Sequence, residues 1–111
     1  RVMEYVNSNY KPGDKIVAGE LYVYFDGTYY NNTGNSFLLY TAGGRPNGYG
    51  ESGLIYDKNV YLDNYNQLSG GRIWIIGKTG EHSYYDNIPA NWKLIKTVSG
   101  GYSEARLYQI Q

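Results

Sequence analysis

The residues that look most like chemistry lie in GGRPNGYGESG, Gly43 to Gly53, where Gly48, Gly50 and Gly53 spell G-x-G-x-x-G. That pattern holds a dinucleotide only where it leaves a strand and opens a helix, because the helix amides and dipole then meet the phosphate. Here the apolar run SFLLYT ends well before Gly48, with Arg45-Pro46 between, and Gly53 is followed by LIYDKNVYL, which is β-prone and has no helical period. The stretch reads as a loop that binds no nucleotide. Zinc chemistry is as poorly served, since His82 is the only histidine and cysteine is absent. No G-x-S-x-G elbow presents a serine nucleophile. Glycoside hydrolysis needs paired carboxylates beside an apolar pocket that raises one pKa. The acids here are scattered singly, mostly beside turns, where carboxylates cap or stay solvated. His82, next to Glu81 in a polar stretch, reads as a solvated surface residue. Asn31-Asn32-Thr33 is a glycosylation sequon, a triplet common by chance and no evidence of secretion. The residues themselves predict no catalytic, metal or cofactor site.

The elements that would position any site follow from hydrophobic period and punctuation. In RVMEYVNSNYKPGDKI, Val2, Met3, Val6 and Tyr10 form a helical stripe, and Pro12-Gly13 stop it. Asp14 then opens a short buried strand, Lys15 to Ala18. ELYVYFDGTYYNNTG supports two readings. Asp26-Gly27 between aromatic runs signals a hairpin with strands 21–25 and 28–31, whereas Leu21, Tyr24, Phe25, Thr28 and Tyr29 share one helical face. Local propensity favours the hairpin slightly. Ser36 to Thr41 reads as a strand, and LIYD and NVYL as edge strands at most. DNYNQLSGG reads as a helical turn closed by Gly70-Gly71. RIWIIGK, Arg72 to Lys78, is the most apolar run and the predicted central strand, with Ile73, Trp74, Ile75 and Ile76 all buried. A loop with one helical turn near Ser83 to Asn87 leads to NWKLIKTV and EARLYQIQ, an antiparallel hairpin joined by SGGYS.

Size and charge bound the rest. At 111 residues the chain is one domain, and its ten basic and ten acidic side chains cancel. A neutral surface lacks the field that attracts nucleic acid or anionic lipid. No window approaches the ~20 apolar residues of a membrane span, so this segment does not insert. The chain opens on Arg1 inside a helical pattern, which points to a piece of a longer protein or a processed one. Fifteen tyrosines stand against two phenylalanines. Tyrosine suits half-buried rims and wet contact surfaces, because its ring is apolar while its hydroxyl needs a partner.

Two stretches carry a resemblance. VMEYVNSNYKPGDKIVAGELYVYFDGTYYN resembles the start of the soluble C-terminal domain of dolichyl-phosphate-mannose protein mannosyltransferase-like membrane proteins, glycosyltransferase family 39. In that family the last membrane helix leads into a helix, a "pgD.I" strand and an aromatic segment ending in "yY". GGRIWIIGKTG and DNIPANWKLIKTVSGGYSEARLYQI are similar to the family's closing pattern, a "grvWlv" strand, an "iP..w" turn and a final hairpin ending in "lY.i". The resemblance misses mainly Asn35 to Gln67 and rests on hydrophobic patterns with few fixed polar residues.

The resemblance implies a helix near residues 20–30. With the elements above it gives a small single-domain α/β fold over residues 1–111: a mixed, mostly parallel sheet flanked by helices, Rossmann-like, ending in an antiparallel hairpin. It further implies a place on the extracytoplasmic face of the cell membrane, as the C-terminal part of a multi-pass glycosyltransferase using a polyprenyl-phosphate sugar. Family catalysis, hexosyl or mannosyl transfer, uses an acidic residue in a loop of the membrane part, so no catalytic residue carries over to this chain. The expected partners are that membrane-embedded catalytic part and acceptor glycan or protein. By loop position, the candidate contacts are Asn47, Tyr49, Tyr84 and Tyr85. A free-standing secreted, Tyr-rich carbohydrate- or protein-binding module is the rival reading. A hairpin at Asp26-Gly27 would favour the rival, and a helix there the accessory domain. A small independent enzyme is the third, for which no site is visible.

Overall fold

The computed structural model describes residues 2–42 and 60–111. Among them the chain runs α1 (Val2–Asn9), β1 (Lys15–Ala18), α2 (Leu21–Tyr30), β2 (Phe37–Tyr40), β3 (Tyr61–Leu62), a 3-10 turn (Tyr65–Gln67), β4 (Arg72–Lys78), β5 (Trp92–Ser99) and β6 (Ser103–Ile110). The described strands make one mixed sheet in the order β3-β2-β1-β4-β6-β5. β1 pairs in parallel with β2 and β4, and β2 with β3, whereas β6 lies antiparallel between β4 and β5. The result is an α/β domain with a terminal hairpin, as the sequence predicts. Run LIYD and the glycine-rich loop lie outside the described residues, and NVYL contributes only Tyr61–Leu62.

The segment with two sequence readings is a helix. Glu20 adopts an extended backbone as its N-cap, and its carboxylate accepts the Val23 amide at 2.8 Å. The helix buries Val23 and Gly27, one turn apart. A Cβ on Gly27 would lie 2.7 Å from the Phe37 ring, so the glycine that looks like a hairpin turn instead lets the helix settle on β2. Packing of one face against the sheet outweighs the strand preference of Tyr, Val and Phe.

Alternation along the strands divides the core in two. Ile16, Ala18, Phe37, Leu39, Trp74, Ile76, Ala105 and Leu107 face α1 and α2. Val17, Tyr40, Leu62, Ile73, Ile75 and Tyr108 face the other way, onto Tyr65, Tyr84 and Trp92. Four consecutive residues of β4, Ile73 to Ile76, are therefore buried, as a central strand covered on both faces requires. The expectation of flanking helices holds for one face. Over the second, among the described residues, tyrosine and tryptophan rings stand where a helix layer would: Tyr65 stacks on Tyr40 at 4.1 Å between centroids and meets Trp92 at 5.4 Å. This is a use for several of the tyrosines: their rings fill the layer, while the Tyr65 and Tyr84 hydroxyls bond the Tyr84 carbonyl and the Glu104 carboxylate.

Two features go beyond the sequence reading. The expected terminal hairpin forms, and in NWKLIKTV the residues Lys93 to Thr97 are all exposed. β5 is an edge strand among the described strands, and a register shift between Leu94 and Lys96 breaks its pairing with β6. Lysines and such a bulge are devices that discourage edge-to-edge association. Asp14, which opens β1, is also the buried acid among the described residues. It is 3 % exposed, and its carboxylate takes bonds from the Arg72 guanidinium, the Trp74 indole and the Lys11 amide.

Candidate functional site

Strand order decides where a ligand could sit. β1 continues through α2 to β2 on one side, while β4 lies on the other side of β1, so the connections diverge between β1 and β4. In open α/β sheets, a crevice forms beyond the carboxyl ends of the strands at such a divergence. Here a cleft of about 330 Å³ opens there, lined by Gly19, Glu20 and Tyr22 after β1, by Lys78 at the end of β4, and by Glu81, Ser83 and Tyr84 beyond it. Its size is at the lower end of small-molecule sites, about 300–1,000 Å³. A second cleft of about 160 Å³ continues past Glu20 to Thr41 and Ala42 at the end of β2.

The electrostatics of this cleft are unlike those of a phosphate site. The first turn of α2 lines the cleft, and there the Glu20 carboxylate already takes the Val23 amide. An incoming phosphate would meet a fixed negative charge where a dinucleotide fold offers a positive one. Glu81 adds a second carboxylate at the rim, balanced in part by Lys78. Among the described residues the side chains of Lys78, Glu81 and Ser83 hydrogen-bond to no other group, so all three remain available to a ligand. Tyr22 is 75 % exposed and offers a bare ring at the lip.

Of the four contacts expected from the sequence, Asn47 and Tyr49 lie outside the described residues. Tyr84 and Tyr85 are brought together edge to face at 4.9 Å. Tyr84 is 2 % exposed, so its ring cannot be the open platform that its loop position suggests. The ring is wedged against Gly19 and Gly77, its hydroxyl bonds Glu104, and its carbonyl accepts the Tyr65 hydroxyl. Burial first, then the carboxylate of Glu104, push the Tyr84 phenol well above its ordinary range, so it stays neutral. Tyr85 is half-buried, and the Arg106 guanidinium lies 3.7 Å from its ring centroid. The turn signal is sound, but the glycines that receive Tyr84 come from two other elements.

Those glycines yield a prediction. A Cβ on Gly77 would lie 2.2 Å from a Tyr84 ring carbon, and the ring is held at both its carbonyl and its hydroxyl. Gly77→Ala is expected to cost about 2–3 kcal/mol in urea unfolding, because overpacking forces the ring or the strand to shift. A loss below about 0.5 kcal/mol would show that Tyr84 is not fixed there.

His82 pairs with Asp86 at 2.9 Å across one exposed turn. The hydrogen bond to Asp86, and then its charge, raise the imidazole pKa above its ordinary value. The pair orients a ring nitrogen as a catalytic dyad would, but among the described residues no serine reaches the imidazole. No group of three metal-ligating side chains occurs among the described residues. Comparison with protein-family models, curated proteins and solved structures gives no match.

The cleft residues Glu20, Tyr22, Lys78, Glu81 and Ser83 are not among the contacts proposed from sequence. Each lies at or shortly after the carboxyl end of a strand, which is the signal that could have found them once β1 and β4 are known to be neighbours.

Proposed function

We propose that this domain is a non-catalytic accessory module of a multi-pass membrane glycosyltransferase using a polyprenyl-phosphate sugar, displayed on the extracytoplasmic face. Its work is to shape the approach to the membrane-embedded active site and to contact acceptor glycan or protein. The observation that carries this reading is α2 at Leu21–Tyr30, set between two parallel strands. It is the feature that separates the accessory-domain reading from a Tyr-rich β module. The β3-β2-β1-β4 order, with α2 on one face and the 3-10 turn on the other, supports the finer description of a Rossmann-like half-sheet extended by a hairpin. The two stretches that resemble the family fall on α1-β1-α2 and on β4-β5-β6, so the likeness covers packed elements of one sheet. No described helix is long and apolar enough to cross a membrane.

The test has two arms. Reading the coding sequence upstream of Arg1 is expected to give a series of membrane-spanning segments; a lone signal peptide there would establish the secreted module instead. Incubating residues 1–111 with a polyprenyl-phosphate sugar and acceptors is expected to give no transfer. Turnover abolished by His82→Ala or Glu81→Gln would make the domain an enzyme and overturn the reading.

A further inference from the structure

We propose that the cleft between the ends of β1 and β4 is a binding site for neutral sugar residues, with the Tyr22 ring as its stacking platform. The proposal rests on the reading of the domain as a glycan-contacting module and names the site and ligand class. A pyranose presents a C–H face and a rim of hydroxyls, so it needs a bare aromatic ring beside polar groups that both donate and accept. The cleft brings these together. Tyr22 stands open at the lip on the first turn of α2, while Lys78 donates, Glu81 accepts and Ser83 does both. The side chains of all three are exposed and hydrogen-bond to no other group among the described residues, so binding breaks no internal side-chain bond.

The same geometry selects against anions. The Glu20 carboxylate holds the Val23 amide at the start of α2, and Glu81 lines the same cleft, so phosphate and carboxylate ligands meet like charge. Two other hollows compare poorly. The larger one near Asn31 and Asn35 is also polar, at about 400 Å³. Its amides are engaged, however: Asn31 Nδ2 donates to the Asn35 carbonyl, and Asn35 Nδ2 to Tyr10 and the Asp14 carbonyl. The groove between Tyr22 and Tyr102 holds only about 30 Å³, too little for a sugar ring.

One stacking contact and a few solvated hydrogen bonds give affinity in the millimolar range. The experiment is amide and side-chain NMR on the full 111-residue chain with methyl α-mannoside, methyl β-glucoside and methyl β-galactoside, and separately with inorganic phosphate. At least one glycoside is expected to move Gly19, Glu20, Tyr22, Lys78 and Glu81 together in a saturable way, and phosphate to leave them in place. Tyr22→Ala, at an exposed position that leaves the fold intact, should weaken binding about fivefold or more. Glu81→Gln should weaken it less. The proposal is overturned if no glycoside shifts these residues, if the shifts centre elsewhere, or if Tyr22→Ala binds as wild type does. Phosphate binding at the α2 terminus would overturn it too. These failures leave the accessory-domain reading standing, because that reading falls on the upstream coding sequence.

Discussion

Trp74→Ala is expected to remove about 4–5 kcal/mol, a large part of the stability of a domain of this size. Trp74 is 1 % exposed at the centre of β4, turned toward the helix layer. Its indole meets Tyr5 of α1 edge to face at 6.2 Å, and the Arg72 guanidinium lies 5.7 Å from its ring. Truncation therefore opens a void where α1, β1 and β4 join and withdraws the N–H that Asp14 accepts at 3.0 Å. The surrounding elements are pinned on every side and can collapse only partly into the space, which places the loss at the upper end for aromatic truncation. Trp74→Phe keeps most of the volume but not the donor, and should cost about 1–2 kcal/mol. Urea unfolding followed by Trp92 fluorescence measures both, since the second tryptophan remains in each variant. If Trp74→Ala unfolds within about 0.5 kcal/mol of wild type, the indole is not where the structure puts it.

The contrast between Trp74 and Tyr84 explains how much the sequence reveals. Trp74 sits in RIWIIG, a run so continuously apolar that only a strand covered on both faces can accommodate it, and neighbours in sequence suffice to bury it. Tyr84 sits in a polar turn where local context predicts exposure. Its burial comes from Gly19 and Gly77, whose missing side chains leave a slot that no local pattern discloses. Gly27 is a similar case: next to Asp26 it spells a hairpin turn, and its real role, contact with Phe37, depends on a residue of another strand. Short-range signals thus locate α1, β1, β4 and the terminal hairpin, while long-range packing decides α2 and the aromatic second face.

The site was harder to read for the same reason. Glu20 and Tyr22 follow β1, and Lys78 and Glu81 follow β4, nearly sixty residues later. Nothing in their types or spacing unites them. They meet because β1 and β4 pair in parallel, with Ala18 opposite Ile76, so both strands discharge their loops at the same edge. A sequence reading that fixes the strands but not their order finds the pieces of such a cleft without finding the cleft.

At the amino ends of the same two strands, Asp14→Ala is expected to cost about 3–4 kcal/mol at neutral pH. Asp14 Oδ2 accepts from the Arg72 Nη2 at 2.8 Å, the Lys11 amide at 2.9 Å and the Trp74 indole at 3.0 Å, while Oδ1 accepts Arg72 Nε at 3.0 Å. Arg72 also donates to the Asn9 carbonyl at the end of α1, so one carboxylate fastens α1, β1 and β4 together. Removing it strands a buried indole N–H and an amide, each costing about 1–3 kcal/mol, and frees a guanidinium that is partly solvated and so loses less. The pH dependence identifies the charge as the cause. Burial works to raise the Asp14 pKa, but the bonds from Arg72, Lys11 and Trp74 outweigh it and hold the carboxyl below its ordinary 3.8. A carboxylate whose folded pKa is depressed stabilises the fold fully above its unfolded value, and that stabilisation is lost as pH falls through 3.8 toward the folded pKa. Wild type and Asp14→Ala should therefore differ by a constant amount from pH 7 to about pH 5, and converge in part below pH 3.8. Urea midpoints taken across that range measure the gap. A gap that stays constant down to pH 2 would show that the carboxylate's packing, and not its charge, joins the three elements.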